Sequence, residues 1–378
     1  MIWWKNAKNK FEADKIGKEE EQLKAINNYL CTVIKDSKNL SFLIGSGCSQ
    51  PTIPLLSNIF KDILEKFKED FDLVKESYNF EENKNLEAFL NWLNSAIVFF
   101  RNNEERKTFY KNLFDNCKQM ILDKIKETFE NENIYLENLQ LYINFYNILL
   151  KIRSLKEISS IPYKNPINIF TTNYDIFNEI AMEKTAIKYT TGFDGDIDRK
   201  FSIENFRFRI VDDENRFKEK WDPFNAYIKL FKIHGSINWV QNDNSEDINL
   251  SESWSKNYSN VLIYPTLNKN NETLLKPYAE LFREFSIQLQ KNNTTLVIMG
   301  YGFPDEHINQ IILQALSSNS FTLIVFADID GDEDPVKKFF DKTKNYNNVV
   351  FIGGKYENNL LINHFENIIK TLEKNIGE

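Results

Sequence analysis

Three apolar runs in this chain each end in small or polar residues that could take part in chemistry. The polar ends are Gly45-Ser46-Gly47-Cys48-Ser49, Thr171-Thr172-Asn173-Tyr174-Asp175 and His234-Gly235-Ser236. An imidazole titrates near neutral pH and can act as a general base, and an amide can hold water. A glycine turn that opens a helix points backbone N–H groups at an anion. These residue types predict one polar site, provided that the three ends meet.

Two later apolar runs end in comparable residues. Gly300-Tyr301-Gly302-Phe303-Pro304-Asp305 follows one of them, and Ala327-Asp328-Ile329-Asp330-Gly331-Asp332 closes the other. The second stretch resembles a calcium loop, but the glutamate and the spacing that such a loop needs are absent, so we expect no calcium site there.

The polar ends would meet if the runs are parallel strands of one sheet. Strand-like runs occur at 40–44, 167–171, 227–233, 261–264, 295–299, 322–327 and 349–352. Helical spacing of apolar residues occurs at 55–67, 274–290 and 305–317. Strands that alternate with helices are typical of a largely parallel sheet with helices on both faces, in which ligands bind outside the carboxyl ends of the strands. We therefore predict an α/β fold of this kind.

The pattern along the chain predicts four parts. Residues 1–38 form an N-terminal helical segment, 39–70 and 161–357 form the sheet domain, 71–160 form a helical insertion, and 358–378 form a C-terminal helix. The insertion is predicted because no strand-like run occurs between 71 and 160. Within the sheet domain, residues 190–226 predict loops and a hairpin that includes Phe206–Ile210.

Composition limits the classes of function. Apolar residues make up 42% of the 378 residues, which is enough for a sizeable core. A net charge of −8 disfavours direct nucleic-acid binding, which depends on clustered lysine and arginine. No apolar run approaches the roughly 18–20 residues that cross a bilayer, and the N-terminus lacks the apolar region of a signal peptide. We expect a cytoplasmic protein that binds neither nucleic acid nor membrane.

Cysteine and histidine usage predicts that the protein needs no metal. The cysteines are Cys31, Cys48 and Cys117, and the histidines are His234, His307 and His364. The cysteine spacing supports neither a disulfide framework nor a Cys-x-x-Cys zinc site. Three scattered histidines also make a multi-histidine metal centre unfavourable.

Each motif also has a purely structural alternative. The glycine turn can be a tight bend, since Gln50 replaces the last glycine of the dinucleotide fingerprint G-x-G-x-x-G, which also disfavours a classical dehydrogenase. Asn173 can cap a helix that begins near Ile176. His234 can be a satisfied structural histidine at a strand end. Taken one at a time, the motifs leave these alternatives open.

Taken together and in this order, the motifs resemble those of the sirtuin family. Sirtuins carry a GAGxS turn, a TQNxD segment and an HG segment, which Gly45–Ser49, Thr171–Asp175 and His234-Gly235 match. Gly300–Asp305 resembles the later G-[TY]-S-x-x-D segment of prokaryotic sirtuin-like proteins, with Gly302 in place of the usual serine. The resemblance spans roughly residues 40–330.

The resemblance implies a Rossmann-like NAD-binding domain that cleaves the nicotinamide–ribose bond, with NAD as the substrate. It implies that His234 is the catalytic base and that Asn173 acts beside it at the nicotinamide ribose. The implied NAD-binding residues are Gly45, Ser46, Gly47, Ser49, Thr172, Asp175, Gly300 and Asp328. Among them Gly45, Gly47 and Ser49 would contact the diphosphate, and a helix that begins after Ser49 would offset part of its charge.

Two departures from the family indicate the subclass. Protein-deacylating sirtuins usually carry two Cys-x-x-Cys pairs for a structural zinc after the HG segment, and no cysteine follows Cys117 here. Pro54-Leu55-Leu56-Ser57 also replaces the usual Pro-x-Phe-Arg. The chain thus resembles the sirtuin-like NAD hydrolases of bacterial antiphage systems. We expect an NAD nucleosidase that gives nicotinamide and ADP-ribose as an abortive-infection effector.

Two alternatives remain open from the sequence. One is an NAD-dependent protein deacylase or ADP-ribosyltransferase, and the other is a non-catalytic sensor that binds NAD or ADP-ribose and gates a partner. A defence hydrolase must stay silent until triggered, so we expect a homo-oligomer or a partner chain as the regulator. By analogy with the family, a HerA-type ATPase or a short Argonaute is the expected partner.

Overall fold

The computed structural model describes residues 2–6, 10–11, 19–54, 56–75, 77–78, 86–130, 132–154, 165–217, 220–223, 227–241, 247–251, 259–262, 276–329, 334–356 and 360–373. All statements below concern these ranges. The second half of the stretch Ala327–Asp332 and the strand-like residues 263–264 lie outside them.

The strands are numbered in chain order. They are β1 (Ile2–Asn6), β2 (Lys10–Phe11), β3 (Asn39–Ile44), β4 (Ile167–Thr171), β5 (Lys188–Thr190), β6 (Phe193–Asp194), β7 (Lys200–Phe201), β8 (Val211–Phe217), β9 (Lys220–Pro223), β10 (Tyr227–Lys232), β11 (Gly235–Gln241), β12 (Ile248–Leu250), β13 (Ser259–Leu262), β14 (Thr294–Met299), β15 (Phe321–Phe326), β16 (Val349–Tyr356) and β17 (Leu360–Leu361).

The α-helices are α1 (Glu19–Asp36), α2 (Leu56–Lys66), α3 (Lys68–Val74), α4 (Leu86–Phe99), α5 (Glu104–Glu130), α6 (Glu132–Ser154), α7 (Phe177–Lys184), α8 (Tyr278–Leu289), α9 (Glu306–Leu316), α10 (Pro335–Lys342) and α11 (Phe365–Glu373). Two 3₁₀ turns, Ser46–Ser49 and Ile203–Arg207, lie between them. None of the helices in the described ranges is long and apolar enough to cross a membrane.

The main sheet has seven parallel strands in the order β16-β15-β14-β3-β4-β10-β5. The chain builds outward from β3 to β4 and β10, then returns to β14 and builds the other way through β15 and β16. The order therefore reverses between β3 and β14. In open α/β sheets a ligand crevice forms at such a reversal, outside the carboxyl ends of the strands.

Side chains alternate between two cores because the central strands are buried on both faces. On β3, Phe42 and Ile44 join the cluster under α1, α6, α7 and α11, while Leu43 joins the cluster under α8, α9 and α10. Strand β4 alternates in the same way, with Ile169 on the first face and Phe170 on the second. The predicted α/β fold class, with helices on both faces of a mostly parallel sheet, is confirmed.

The helices between β3 and β4 belong to two packing units. Helices α2 to α5 pack in a third hydrophobic cluster, which includes Phe89, Leu90 and Ile121 and also Ile237 of β11. Helix α6 instead covers the main sheet, where Tyr142, Phe145 and Tyr146 are fully buried. The segment predicted as a helical insertion thus also supplies one of the layers of the sheet domain.

The N-terminal prediction is wrong at its start. Residues 1–38 were expected to be helical, but Ile2–Asn6 forms β1, which pairs antiparallel with β16 at the edge of the main sheet. An isoleucine and two tryptophans favour a pleated strand, and the open edge of β16 offers them unpaired backbone groups. Helix α1 begins at Glu19 and carries Leu23, Ile26 and Leu30 into the core.

Two further expectations need correction. The predicted hairpin forms from β8 and β9, whereas the Phe206–Ile210 stretch assigned to it begins in the 3₁₀ turn Ile203–Arg207. A second sheet, β13-β11-β12-β7-β6, was not predicted and is antiparallel throughout. The C-terminal helix is confirmed only at Phe365–Glu373, since Leu360–Leu361 forms a short strand instead.

Candidate active site

Five strand ends lie next to one another along the carboxyl edge of the main sheet. In the order β15, β14, β3, β4 and β10 they present Asp328, Gly300, Gly45, Thr172 and His234. Neighbouring strands are about 4.8 Å apart, so the predicted site residues share one edge. The topology thus brings the polar ends together at the reversal in strand order.

The glycine turn after β3 packs directly on the loop after β14. The Gly45 and Gly47 amides donate to the carbonyls of Met299 and Gly300, at 2.9 Å in each case. A Cβ added to Gly45 would lie 2.4 Å from the Gly300 oxygen, and one added to Gly300 would lie 2.5 Å from the Cys48 nitrogen. Gly300 also has a φ of +63°, which favours glycine. These glycines are required by the contact between the two loops.

The side-chain amide of Asn173 is held in one orientation. Its Nδ2 donates to the Gly45 carbonyl and to Ser49 Oγ, at 3.1 Å each, and these two bonds use both of its N–H groups. The side chain is buried, and its Oδ1 has no hydrogen-bonding partner among the described residues. Buried polar atoms are almost always paired, so a buried acceptor without a donor is what a ligand or a bound water would satisfy.

Ser49 joins Asn173 to two groups behind it. The Ser49 hydroxyl donates to Asp175 Oδ2 at 2.8 Å and lies 2.9 Å from the Tyr142 hydroxyl. With the bond from Asn173, its one donor and two acceptor positions are filled. Asp175 Oδ1 in turn accepts from the Phe177 amide at 3.1 Å. We call Asn173, Ser49, Asp175 and Tyr142 the asparagine network.

Burial dominates the electrostatics of the asparagine network. It raises the pKa of Asp175, against the opposing effects of the Lys232 ammonium, the Ser49 hydroxyl and the Phe177 amide. Burial likewise raises the pKa of Tyr142 well above its usual value, so this phenol is a neutral donor at physiological pH. The network therefore holds the Asn173 side-chain amide in place and leaves its Oδ1 as an open acceptor.

His234 lies level with Asn173 on the neighbouring strand end. Lys232 pairs with Thr171 in the sheet, and each of the two site residues follows two positions later. His234 Nε2 is 3.2 Å from Asp305 Oδ2, and both side chains are buried. The other oxygen of Asp305 caps helix α9 by accepting from the His307 amide at 3.0 Å. We call His234 and Asp305 the histidine pair.

The structure excludes one of the structural alternatives, that Asn173 is a helix cap. Asn173 does not cap the helix that follows, because its amide bonds Gly45 and Ser49, and Asp175 bonds the first helical amide instead. His234 is satisfied by a carboxylate, yet it stands at the carboxyl edge beside Asn173. The helix expected after the glycine turn is α2, which begins at Leu56, while a 3₁₀ turn occupies Ser46–Ser49 itself.

The remaining predicted site residues differ in exposure. Ser46 is exposed and Gly47, Thr172 and Asp328 are half-buried, so these four lie where a ligand could reach them. Ser49 and Asp175 are almost completely buried, so the structure places them behind Asn173. The ligand contacts predicted for these six residues stay predictions. The described ranges contain no group of three or more His, Cys, Asp or Glu side chains arranged to hold a metal ion.

Comparison with known families bears on this geometry. The family model described as SIR2-like domain matches residues 167–352, just under half of the chain. Residues 167–352 are thus similar to a SIR2-like domain. The matched range contains Asn173, Asp175, His234, Gly300 and Asp328, while Gly45–Ser49 precedes it and reaches the site through the fold. The predicted resemblance to sirtuins is confirmed for the fold, and the antiphage subclass stays a prediction.

This match supports an NAD-related, sirtuin-type function and the use of NAD. A solved sirtuin chain, from work on the structural basis for sirtuin substrate affinity, is similar over 84% of this chain and 97% of its own length. Its sequence identity is 10% and its TM-score 0.35, a level at which the likeness adds nothing to the assignment. A search of curated proteins gives no match.

Sequence reasoning missed three buried residues near the strand ends. Asp305 was seen only as part of a motif, although an aspartate directly before a helical run is a signal for a cap. Lys232 and Glu179 form a buried ion pair behind the strand ends, with Lys232 Nζ 2.9 Å from Glu179 Oε1. A lysine inside the apolar run that precedes His234 was the available signal, because lysine is almost never fully buried unless it is paired.

Proposed function

We propose that this protein hydrolyses NAD at the nicotinamide–ribose bond and releases nicotinamide and ADP-ribose. The observation that carries the proposal is the buried Asn173 Oδ1, which has no hydrogen-bond donor among the described residues while both N–H groups of the same amide are bonded. A fixed acceptor at the carboxyl edge of a SIR2-like domain is suited to hold water or a ribose hydroxyl.

The second requirement is a base for the proton of the attacking water. His234 stands level with Asn173 on the next strand, and imidazole is matched to proton transfer near neutral pH. Asp305 holds the ring through Nε2, and the cap of α9 holds Asp305. The histidine pair is thus a base whose orientation is set by a rigid element.

Asn173 and His234 need not protonate the leaving group, because the substrate already carries a good one. Nicotinamide leaves as a neutral molecule from a positively charged pyridinium, taking the electron pair of the C–N bond. Asn173 positions the water that forms the new C–O bond, and His234 accepts its proton. Positioning and a dry, preorganised environment supply the rest of the rate enhancement.

Cysteine content favours hydrolysis over protein deacylation. The resemblance set out above implies a zinc module after the HG segment in deacylating sirtuins, and this chain has no cysteine after Cys117. The lack of these cysteines speaks against an acyl-lysine peptide groove and favours water as the acceptor.

The biological role belongs to the same proposal. An NAD-depleting effector of a bacterial antiphage system fits the resemblance to sirtuin-like NAD hydrolases. Such an effector needs a trigger, for which we propose a homo-oligomeric state or a partner chain such as a HerA-type ATPase or a short Argonaute. Cytoplasmic NAD would be the target.

One assay separates the alternatives. The purified protein is incubated with NAD, with and without each candidate partner chain, and nicotinamide, free ADP-ribose, protein-bound ADP-ribose and deacylated peptide are quantified. We expect equal amounts of nicotinamide and free ADP-ribose. Protein-bound ADP-ribose or deacylated peptide in place of free ADP-ribose would establish a transferase or a deacylase. NAD binding without nicotinamide release under every condition would establish a sensor.

A further inference from the structure

We propose that Lys232 is a positioning residue that fixes Asn173 relative to His234, with Glu179 as its counter-charge. The inference rests on the proposed function, because it names what sets the geometry of that reaction. Lys232 is the last residue of β10, two positions before His234, and its ammonium lies under the segment that carries Asn173.

The Lys232 ammonium has three donors, and the structure accounts for all of them. One goes to Glu179 Oε1 at 2.9 Å, one to the Asp175 carbonyl, and one reaches toward the Tyr174 carbonyl at 3.5 Å. The side chain is 0% exposed, so water cannot replace these acceptors. The ammonium therefore binds the main chain on the carboxyl side of Asn173.

The two carbonyls depend on Lys232 to different degrees. The Tyr174 carbonyl also accepts from the Ile237 amide at 3.0 Å and from the Ser236 hydroxyl at 3.3 Å. Among the described residues, Lys232 is the donor to the Asp175 carbonyl. On the amino side, the backbone N–H of Asn173 donates to Thr171 Oγ1 at 3.0 Å. The segment is thus held by Thr171 at one end and by Lys232 at the other.

A purely stabilising role does not account for this arrangement. Replacing both partners of a buried ion pair by apolar residues is often neutral or even stabilising, because desolvation offsets the attraction. Burial indeed raises the pKa of Glu179 against the attraction of Lys232. An apolar pair cannot donate a hydrogen bond to the Asp175 carbonyl. The particular contribution of Lys232 is therefore the position of the segment.

The test compares four variants with the wild type. Lys232→Met removes the ammonium that binds the Asp175 and Tyr174 carbonyls. Glu179→Gln removes only the counter-charge. Lys232→Met combined with Glu179→Leu removes both charges. Lys229→Met is the matched control, because Lys229 lies on the same strand and donates to the Phe206 carbonyl on the other face of the sheet. Each is measured for thermal unfolding and for kcat and KM of nicotinamide release, and the double variant is crystallised.

We expect Lys232→Met to lower kcat about 30- to 100-fold and KM to change by less than about threefold, as for a displaced catalytic group. The double variant should regain thermal stability while kcat stays low. Glu179→Gln should lose stability but keep kcat within about threefold, and Lys229→Met should keep kcat within about twofold. In the crystal, Asn173 should have moved away from Gly45 and Ser49.

Two results would overturn the proposal. One is a double variant that regains kcat together with its stability, which indicates a structural role only. The other is a crystal structure of the double variant in which Asn173 Nδ2 still bonds the Gly45 carbonyl and Ser49. The crystal structure shows whether Lys232 positions Asn173 even if the wild type releases no nicotinamide. Failure of the inference and failure of the proposed function are therefore distinguishable.

Discussion

Asn173 and His234 stand on neighbouring strand ends, yet the protein holds them by different means. The Asn173 amide bonds Gly45 and Ser49, which lie 128 and 124 residues away in the sequence, and the buried groups around it extend to Tyr142 on helix α6. His234 meets a carboxylate that also caps a helix. The asparagine network belongs to the buried core, whereas the histidine pair lies at the N-terminal end of helix α9.

The difference predicts how substitutions act. In the asparagine network every side chain satisfies another buried polar group, so a change should cost both stability and rate. In the histidine pair the cap can survive the loss of the ring, so a change should cost mainly rate. Substitutions in the asparagine network and in the histidine pair therefore test whether the two residues are held in these different ways.

The largest effect among these substitutions is expected at the histidine. His234→Ala removes the base, and nicotinamide release should fall by about 10²- to 10⁴-fold. His234→Gln is the control, since glutamine keeps much of the volume and can still bond Asp305. We expect it to be as inactive as the alanine variant while its thermal unfolding matches the wild type. Retained turnover in the glutamine variant would remove His234 from the mechanism.

Ser49→Ala should act on both quantities. It deprives Asp175 of a donor and Asn173 and Tyr142 of an acceptor, all of them buried. The free energy of unfolding should fall by about 1–3 kcal/mol, and nicotinamide release by about tenfold because the Asn173 amide loses one of its two fixed bonds. Denaturant unfolding and steady-state kinetics measure the two effects. A change in rate alone would contradict the role assigned to the network.

Asp305→Asn should have a smaller effect and on rate only. Asparagine caps helices about as well as aspartate, so unfolding should be unchanged, but the carboxylate that orients His234 is lost. We expect nicotinamide release to fall by about three- to tenfold. Asp305→Ala, which also loses the cap, should in addition cost about 1 kcal/mol in denaturant unfolding. Equal unfolding free energies for the two variants would show that the cap does not matter.

The smallest effect concerns pH. Burial raises the pKa of Asp175, so the folded protein binds this proton more tightly than the unfolded chain does. The contribution of this group to stability is then fully present below its unfolded pKa of about 4 and is lost as pH rises through the folded pKa. Between acid and neutral pH, the wild type should lose more unfolding free energy than Asp175→Asn. Parallel curves in denaturant titrations would contradict the assignment.

Much of the fold follows from local pattern. The strands that carry the site are short, apolar and bounded by turn residues, and the predicted runs match β3, β4, β10, β14, β15 and β16 within a few residues. That they share an edge follows from parallel pairing. The second sheet was missed because the Gly235-Ser236 stretch looked like a loop, whereas Gly235, with a φ of +82°, lets the chain turn straight into β11.

The site itself could be predicted only in part. Residue types and order marked Asn173 and His234, but local sequence could not separate a helix cap from an active amide. That distinction depends on Gly45 and Ser49, which reach Asn173 only in the folded chain. The pairing of Lys232 with Glu179 likewise needs helix α7 to be packed on the sheet.

We propose that the open acceptor of Asn173 holds the water that replaces nicotinamide. The most direct measurement is nicotinamide release from NAD by the wild type and by Asn173→Ala, under the activating condition found for the wild type, with ADP-ribose binding as a control. We predict that release falls by about 10²- to 10³-fold while ADP-ribose still binds. Unchanged release by Asn173→Ala would contradict the account.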